Sequence, residues 1–589
     1  MKPIRLKTAY RVLLLVTLSL LVYYPTLFAP LNSLDDQVFT NLLMNREGFN
    51  FTRHFIPAGA PEYYRPLLTL TFEVDKLVGG LQETFMHLVN ILLHALNVVL
   101  VFFVARLFQR FLAWDDSWVP FCAAALFALH PLNTEAVNWI AGRTDLLAGS
   151  FVFASLLCLL QALARRSLVW GWGSTLLLLG GALCKETALF MVPGALLILF
   201  WRGRDYHPAW NGRWFLTWMM AGAIVAYSGL RFWGMRYDRG VSQAIHVFND
   251  ISARVPSSDV AVGSVAVIGF SNLADAAWLV FKTTGFYSVK LFQPFPLNFA
   301  IHRIHDLYFF PGLLVVVSLV LLLFRRRPVD TLFLLSAGIG SSALLAVFTG
   351  VAWTPIAERY MYIPSGPFLI AFLFAVAPWI DRLRMKNAAM GLFLFLLLGA
   401  AGTTAARNFI WQDNLTLYQD TARKSPDFAP AKAELVRALY SHNLPEEASS
   451  LALSFSGTSN QASTLNRAVA LARQGEYDEA RAYLRDQIAK HNALERRALD
   501  MLVKITSEMV ERTDDEHVRR QYFLEMVEWL SRLIALSNDP FQWYRLGRIQ
   551  LWLGNREDAR NSFAAAARLL PADSLYLEPS RKLAEDLSQ

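Results

Sequence analysis

Runs of apolar residues long enough to cross a bilayer recur through the first four hundred residues of this chain and then stop. A hydrocarbon core about 30 Å thick needs about 20 apolar residues in a helix. Of the 589 residues, 54% are hydrophobic and only 17% are charged, a charge content well below that of soluble domains. These features predict an all-α polytopic membrane protein. Eleven spans are read near residues 10–29, 84–106, 118–131, 145–164, 168–184, 186–201, 213–232, 309–324, 331–350, 365–380 and 388–405. The first run, from about Val12 to Phe28, lacks a small-residue cleavage site and reads as an anchor rather than a signal peptide.

The net charge of +8 does not point to nucleic acid, because much of it lies in short loops between spans. Basic clusters fall on alternate connections: Lys2, Arg5 and Lys7; Arg106 and Arg110; Arg165 and Arg166; Arg202 and Arg204; Arg325 to Arg327; Arg382, Arg384 and Lys386. The positive-inside rule assigns all of them to the cytoplasm, and an odd number of spans then sends the C-terminal region to the opposite side. The segment Trp278 to Phe295 is apolar but carries Lys282 and Lys290. A charge at mid-bilayer costs roughly 2.5–3.5 kcal/mol on insertion scales, so this segment is read as an amphipathic or re-entrant helix at the outer surface, within an outer loop spanning 233–308. Cys122, Cys158 and Cys184 all lie inside apolar segments and read as small core residues, not as a disulfide framework or metal site.

Composition divides the chain into residues 1–406, the membrane part, and 407–589, which is charged, Ala-rich and helical in pattern. Three stretches of the tail share a turn: Asn443 to Ala448, Gly475 to Ala480 and Gly554 to Ala559. The last sits in a nearly complete tetratricopeptide pattern of Trp543, Leu546 and Gly547, then Ala559, Phe563, Ala566 and Pro571, with Gln550 where the first-helix tyrosine usually stands. An α-solenoid of such repeats presents a concave surface that suits an extended peptide. The plainer reading is a helical cap that only stabilises the membrane part.

Polar side chains at membrane depth are costly and so are functional candidates. The first outer loop, 30–83, holds the adjacent carboxylates Asp35 and Asp36, and Tyr63-Tyr64-Arg65-Pro66-Leu67. An arginine fork suits phosphate oxygens; the plain alternatives are a surface ion pair, or a helix cap for Asp36. His87, Asn90, His94 and Asn97 recur three or four apart and share one helical face. Hydrogen bonding between helices is the preferred account of His94 and Asn97, while His87 is the better site candidate. The stretch His130 to Trp139 carries Glu135, and Arg143 and Asp145 follow it. Lys185-Glu186 and Glu358-Arg359 complete the set; each dipeptide also reads as a structural ion pair.

The order of these motifs resembles the transmembrane tetratricopeptide-repeat O-mannosyltransferase family. They are Asp-Asp after the first span, Tyr-Arg-Pro-Leu, His-x-x-Asn-x-x-x-His, His-Pro-x-x-Thr-Glu-Ala-Val, Gly-Arg-x-Asp-Leu-Leu, Lys-Glu and Glu-Arg-x-x-Tyr-x-Pro-Ser. More broadly the chain is similar to GT-C glycosyltransferases, and its short tail suggests a bacterial member. The resemblance implies a polyprenyl-phosphate sugar donor, undecaprenyl or dolichyl, used on the periplasmic or lumenal side. It implies inverting transfer driven by an acidic residue of the first outer loop, Asp35 or Asp36, with Asp35 favoured because a cap explains Asp36 more easily. A carboxylate can take the proton of an attacking hydroxyl. Cations already in place can hold the leaving phosphate, and Arg65, Arg143, Lys185 and Arg359 are the candidates, with Tyr64, His87, Glu135, Asp145 and Glu358 lining the substrate. A divalent metal on Asp35, Asp36 and His87 is left open. The expected acceptor is a protein Ser or Thr met through the repeats. The alternatives are a cell-envelope glycan or lipid as acceptor, or a non-catalytic membrane scaffold that recruits partners.

Overall fold

The computed structural model describes residues 2–44, 49–55, 64–112, 118–202, 212–237, 273–325, 327–349, 354–454, 461–490, 494–537, 539–570 and 574–588. Among them the secondary structure is helical, with one isolated antiparallel bridge between Ile301 and Ile356. The described residues form two compact units divided between Phe428 and Ala429.

The first unit is built from α1 (Lys2–Tyr23), α2 (Asp36–Met44), α3 (Pro66–Gly79), α4 (Glu83–Phe111), α5 (Val119–Leu129), α6 (Thr134–Asn138), α7 (Arg143–Arg165), α8 (Leu168–Cys184) and α9 (Met191–Leu197). It continues through α10 (Gly212–Tyr237), α11 (Leu273–Phe292), α12 (Phe309–Arg325), α13 (Pro328–Gly340), α14 (Ser342–Thr349), α15 (Tyr362–Arg382), α16 (Lys386–Trp411) and α17 (Asn414–Lys424). Among the described residues, eight helical stretches are long and apolar enough to cross a membrane: Thr8–Phe28, Glu83–Phe111, Ile140–Arg165, Gly212–Gly234, Asp306–Arg325, Pro328–Phe348, Glu358–Arg382 and Lys386–Trp411. The chain is therefore a multi-pass membrane protein. Three of the eleven expected spans correspond to shorter apolar helices, Val119–Leu129, Leu168–Cys184 and Glu186–Phe200. At 1.5 Å per residue, 11 residues reach only about 16 Å, and the His130 to Gly142 region that follows α5 is buried throughout. The all-apolar sequence of α5 fits burial on every side: Ala123, Ala124, Ala125, Phe127 and Ala128 are fully covered.

The core of this unit runs through α4, α5, α7 and α15, with Val98, Val101, Phe102, Phe127, Phe153, Leu156 and Phe374 among its residues. Glycine permits close approach between helices, as two positions show. A Cβ on Gly366 of α15 would strike the Phe153 ring at 2.8 Å, and one on Gly312 would overlap the Phe281 carbonyl of α11. By contrast α12 and α16 leave most of their apolar side chains uncovered by protein, including Leu314, Phe324, Leu392 and Phe395, as helices that face lipid do.

The His94 and Asn97 reading meets a definite geometry. The His94 ring joins the Tyr362 hydroxyl at 2.9 Å and the Ala128 carbonyl at 3.1 Å. Asn97 donates to the Leu146 carbonyl at 2.9 Å and to Tyr362 at 3.0 Å. Both lie on the buried stripe of α4 and tie it to α5, α7 and α15.

The second unit consists of helices joined by tight turns: α18 (Ala429–Ser441) and α19 (Pro445–Leu453), α20 (Gln461–Arg473) and α21 (Tyr477–Lys490), α22 (Glu495–Arg512) and α23 (Glu516–Ser537), α24 (Pro540–Trp552) and α25 (Arg556–Leu569), then α26 (Leu577–Asp586). The three shared turns each place one residue in the left-handed region: Asn443 at φ 58°, Gly475 at 86° and Gly554 at 86°. Glycine and asparagine tolerate that conformation best, which is why the turn recurs with those residues. Leu546, Ala559, Phe563 and Ala566 are buried where α24 meets α25, and a Cβ on Gly547 would lie 2.9 Å from the Phe563 ring. Gln550 accepts a hydrogen bond from Ser562 at 2.7 Å, so a polar pair occupies the position where the repeat pattern expects a tyrosine. Pro571 lies outside the described residues.

Candidate functional site

The C-terminal ends of α1 and α8 and the N-terminal ends of α4, α7 and α15 meet at one end of the first unit. Every expected site residue is found there. Tyr63 alone of the Tyr-Tyr-Arg-Pro-Leu motif lies outside the described residues.

The Asp35–Asp36 turn is held from three sides. Asp36 is buried, and its carboxylate accepts from the Asn32 amide at 3.0 Å and from the Ala141 amide at 2.8 Å. Neither donor is an amide of α2, so Asp36 is not a conventional cap of its own helix; it ties the turn to the α6–α7 connection. Asn32 in turn accepts from the Leu34 amide at 2.9 Å and from the Tyr418 hydroxyl of α17 at 3.0 Å. Burial pushes the Asp36 carboxyl up to about 7, against the pull of those backbone amides and with a further push from Asp35. Asp35 is half-buried beside it.

The charged dipeptides do not pair within themselves. Lys185 donates to Asp145 at 2.7 Å, whereas Glu186 accepts from Arg65 at 3.1 Å. Glu358 accepts from the Asn298 amide at 2.9 Å and lies 3.6 Å from the Lys290 ammonium, whereas Arg359 pairs with Glu135 through both its guanidinium and its backbone amide. Each dipeptide therefore stitches two different partners together. The Arg359 guanidinium also lies over the Trp139 ring at 4.8 Å and the Tyr360 ring at 5.0 Å, and the Lys185 ammonium is 5.3 Å from the same Tyr360 ring. Burial pulls the Lys185 ammonium below its usual range, and Asp145 opposes that pull. Arg65, Glu186, Arg359 and Tyr360 keep some exposure and form the open edge of the cluster.

Arg143 sits deeper and is fully buried. Nε donates to Asn90 at 2.8 Å, Nη1 to Asp75 at 2.5 Å and Nη2 to the Met86 carbonyl at 2.9 Å, with the Phe72 ring 4.5 Å away. All three nitrogens are engaged inside the protein, so Arg143 is a strut between α3, α4 and α7 rather than an open phosphate ligand. Asp75, its partner, carries no signal in sequence beyond being acidic in a helix; burial raises its carboxyl and Arg143 opposes the rise. His87, also buried, faces the Ala29 and Pro30 carbonyls and Arg143, and neither ring nitrogen makes a hydrogen bond of ordinary geometry. Among the described residues no three His, Cys, Asp or Glu side chains gather at metal-binding distances. Asp35, Asp36 and His87 do not form such a group.

Lys290 is the residue whose role sequence reasoning passed over. It weighs there only as an awkward charge in an apolar segment. In the structure its ammonium donates to the Pro294 carbonyl at 3.1 Å and to that of Pro296, beside Glu358. It thereby folds the end of α11 back toward the site. The signal was present: a lysine in an otherwise apolar helix needs buried acceptors.

No family model matches the chain. Over part of its length it is similar to curated protein O-mannosyl-transferases. It is 41% identical over 148 residues to "Protein O-mannosyl-transferase TMTC2" of Mus musculus, which is 24% of this chain and 16% of that protein. The Homo sapiens TMTC2 protein matches at 41% over 145 residues, 24% of this chain and 16% of that one. "Protein O-mannosyl-transferase Tmtc1" of Drosophila melanogaster matches at 38% over 141 residues, 23% and 15%. The match spans about one sixth of the length of these relatives.

Proposed function

We propose that this protein is a membrane glycosyltransferase of GT-C architecture with eleven spans, which moves a hexose, mannose in the first instance, from a polyprenyl phosphate to a Ser or Thr hydroxyl of a protein acceptor, with inversion. The observation that carries the reading is the meeting of the Asp35–Asp36 turn with the Arg65–Glu186, Lys185–Asp145 and Arg359–Glu135 pairs at one end of the bundle. The names of the partial relatives agree with it.

The chemistry divides among these residues by exposure. Asp35 is the base: it is the more accessible carboxylate of the pair, and it takes the acceptor proton as the oxygen attacks the anomeric carbon. Asp36 is the anchor that fixes the turn. As the sugar–phosphate bond breaks, charge grows on the lipid phosphate. Arg65 and Arg359 stand at the open edge with donors preoriented by Glu186 and Glu135, and Lys185 adds a third positive charge behind them. Preorganised cations act more strongly than mobile ones because they need not be reordered as charge develops. The repeats of the second unit, on the non-cytoplasmic side, receive the acceptor peptide.

The test is transfer by the purified full chain in lipid nanodiscs, with radiolabelled polyprenyl-phosphate mannose and Ser/Thr peptides. Label in peptide from wild type, and about 10²- to 10⁴-fold less from Asp35→Asn, is the expected result. Equal transfer by wild type and Asp35→Asn overturns the assignment of the base. A reporter fused at Gln589 that proves cytoplasmic overturns the topology.

A further inference from the structure

Beside the Arg65–Glu186 pair, the Tyr64 hydroxyl, Glu186 Oε2 and Thr187 Oγ1 are buried with no hydrogen bond, and the buried Tyr227 hydroxyl is met only by Arg231. Tyr64 and Tyr227 are both buried, at 1% and 4% exposure, with ring centroids 6.2 Å apart. With Ala182 and Leu183 they make a small cluster separate from the main core. Tyr227 lies within electrostatic reach of Glu186 and Arg65, and Tyr64 within reach of Tyr227, so the two phenols and the Glu186 carboxylate gather at one place. Arg231, one turn further along α10, donates to the Tyr227 oxygen. A guanidinium only donates, and the phenol proton still lacks an acceptor.

Buried polar groups in folded proteins are almost always bonded, to protein, water or ligand. Several orphans around one point therefore describe the polar outline of something that binds there. Its chemistry follows from theirs. The phenols both donate and accept, and the carboxylate oxygen only accepts. A phosphate, which only accepts, cannot satisfy Glu186. A cation is disfavoured by Arg65 at 3.1 Å from Glu186. A neutral, hydroxyl-bearing group meets every demand, because each hydroxyl supplies one donor and two acceptor positions.

We infer that Tyr64, Tyr227 and Glu186 form a subsite for the hydroxyls of the donor's hexosyl group, next to the Arg65 that faces its phosphate. The subsite rests on the glycosyltransferase reading above. Tyr227, far in sequence from every motif of the site, is then a specificity-determining residue.

The experiment compares binding of polyprenyl-phosphate mannose with that of the bare polyprenyl phosphate to the full chain in nanodiscs, followed by tryptophan fluorescence. Wild type should prefer the sugar-bearing lipid by about 10-fold or more. Tyr227→Phe and Tyr64→Phe, which remove only an oxygen, should each cut that preference about 3- to 10-fold and leave the affinity for bare lipid unchanged, in keeping with single neutral hydrogen bonds. A preference identical in wild type and both variants overturns the subsite. So does a rise in melting temperature of the variants without a change in preference, since the hydroxyls then hold only water. A wild type that shows the preference but transfers no hexose sinks the transferase reading and not the subsite. One that transfers hexose without any preference sinks the subsite alone.

Discussion

The Asp36 carboxylate accepts a hydrogen bond from the Ala141 amide at 2.8 Å, across 105 residues of sequence. That bond joins the turn carrying Asp35 to the connection that delivers Arg143 and Asp145 into α7. Asp36→Asn keeps one acceptor oxygen but turns an N–H₂ toward one of two backbone donors. Leaving a buried amide unsatisfied costs about 1–3 kcal/mol. We expect Asp36→Asn to lower the melting temperature of the purified protein and to weaken transfer, whereas Asp35→Asn lowers transfer with the melting temperature nearly unchanged. If the two variants melt alike, the division into anchor and base is wrong.

The same carboxylate gives stability a defined pH dependence. Its value is raised from 3.8 to about 7 by burial. Between these values the folded protein holds a proton that the unfolded chain has released. Stability from this group is therefore full below pH 3.8 and falls as pH rises toward 7, then levels off. Melting curves from pH 4 to 8 should show that decline in wild type, and a shallower one in Asp36→Asn. A variant with the wild-type slope would place the titration elsewhere.

Arg143 and Asp75 are a buried pair, and breaking such a pair costs more than the pair contributes. Arg143→Met leaves the Asp75 carboxyl buried without its partner and should destabilise by about 3–5 kcal/mol. Adding Asp75→Asn should recover part of that loss, because no carboxyl is then left buried without its cation. Thermal melting of the single and double variants decides it; a double variant no more stable than Arg143→Met argues against a strut. If Arg143 instead grips the donor phosphate, the double variant regains stability but loses donor binding.

How much of this was legible in sequence varies by residue. The apolar runs announced the long helices, because a 3.6-residue period is unnecessary where every face is buried or lipid-exposed. The short helix α5 was harder, since length alone separates a span from a core helix and Val119–Leu129 has only 11 residues. The charged groups were visible as expensive residues at membrane depth, but not their partners. Lys185-Glu186 and Glu358-Arg359 read as two dipeptide ion pairs because neighbours in sequence are the only neighbours a sequence displays. Their actual partners, Asp145, Arg65, Lys290 and Glu135, lie between 40 and 224 residues away. Tyr227 had no sequence signal at all: a tyrosine in an apolar span is unremarkable until its hydroxyl is found buried beside Tyr64 and Glu186 with no acceptor for its proton.

The turn that recurs in the second unit offers a test independent of the membrane site. Gly475 and Gly554 both sit at φ 86°, with open space where a Cβ would go. Alanine there meets no neighbour, so its cost is purely that of the left-handed backbone, about 1 kcal/mol or more. Gly547→Ala differs: its φ is ordinary for a helix, but the new methyl would lie 2.9 Å from the Phe563 ring, and overpacking of that kind costs about 1–3 kcal/mol. Combining Gly547→Ala with Phe563→Leu should therefore relieve part of the Gly547→Ala loss, whereas Phe563→Leu should do nothing for Gly554→Ala. Melting of the full chain, followed by the ellipticity of its helices, supplies the readout. Equal rescue of both glycine variants by Phe563→Leu would mean that neither cost arises where the structure puts it.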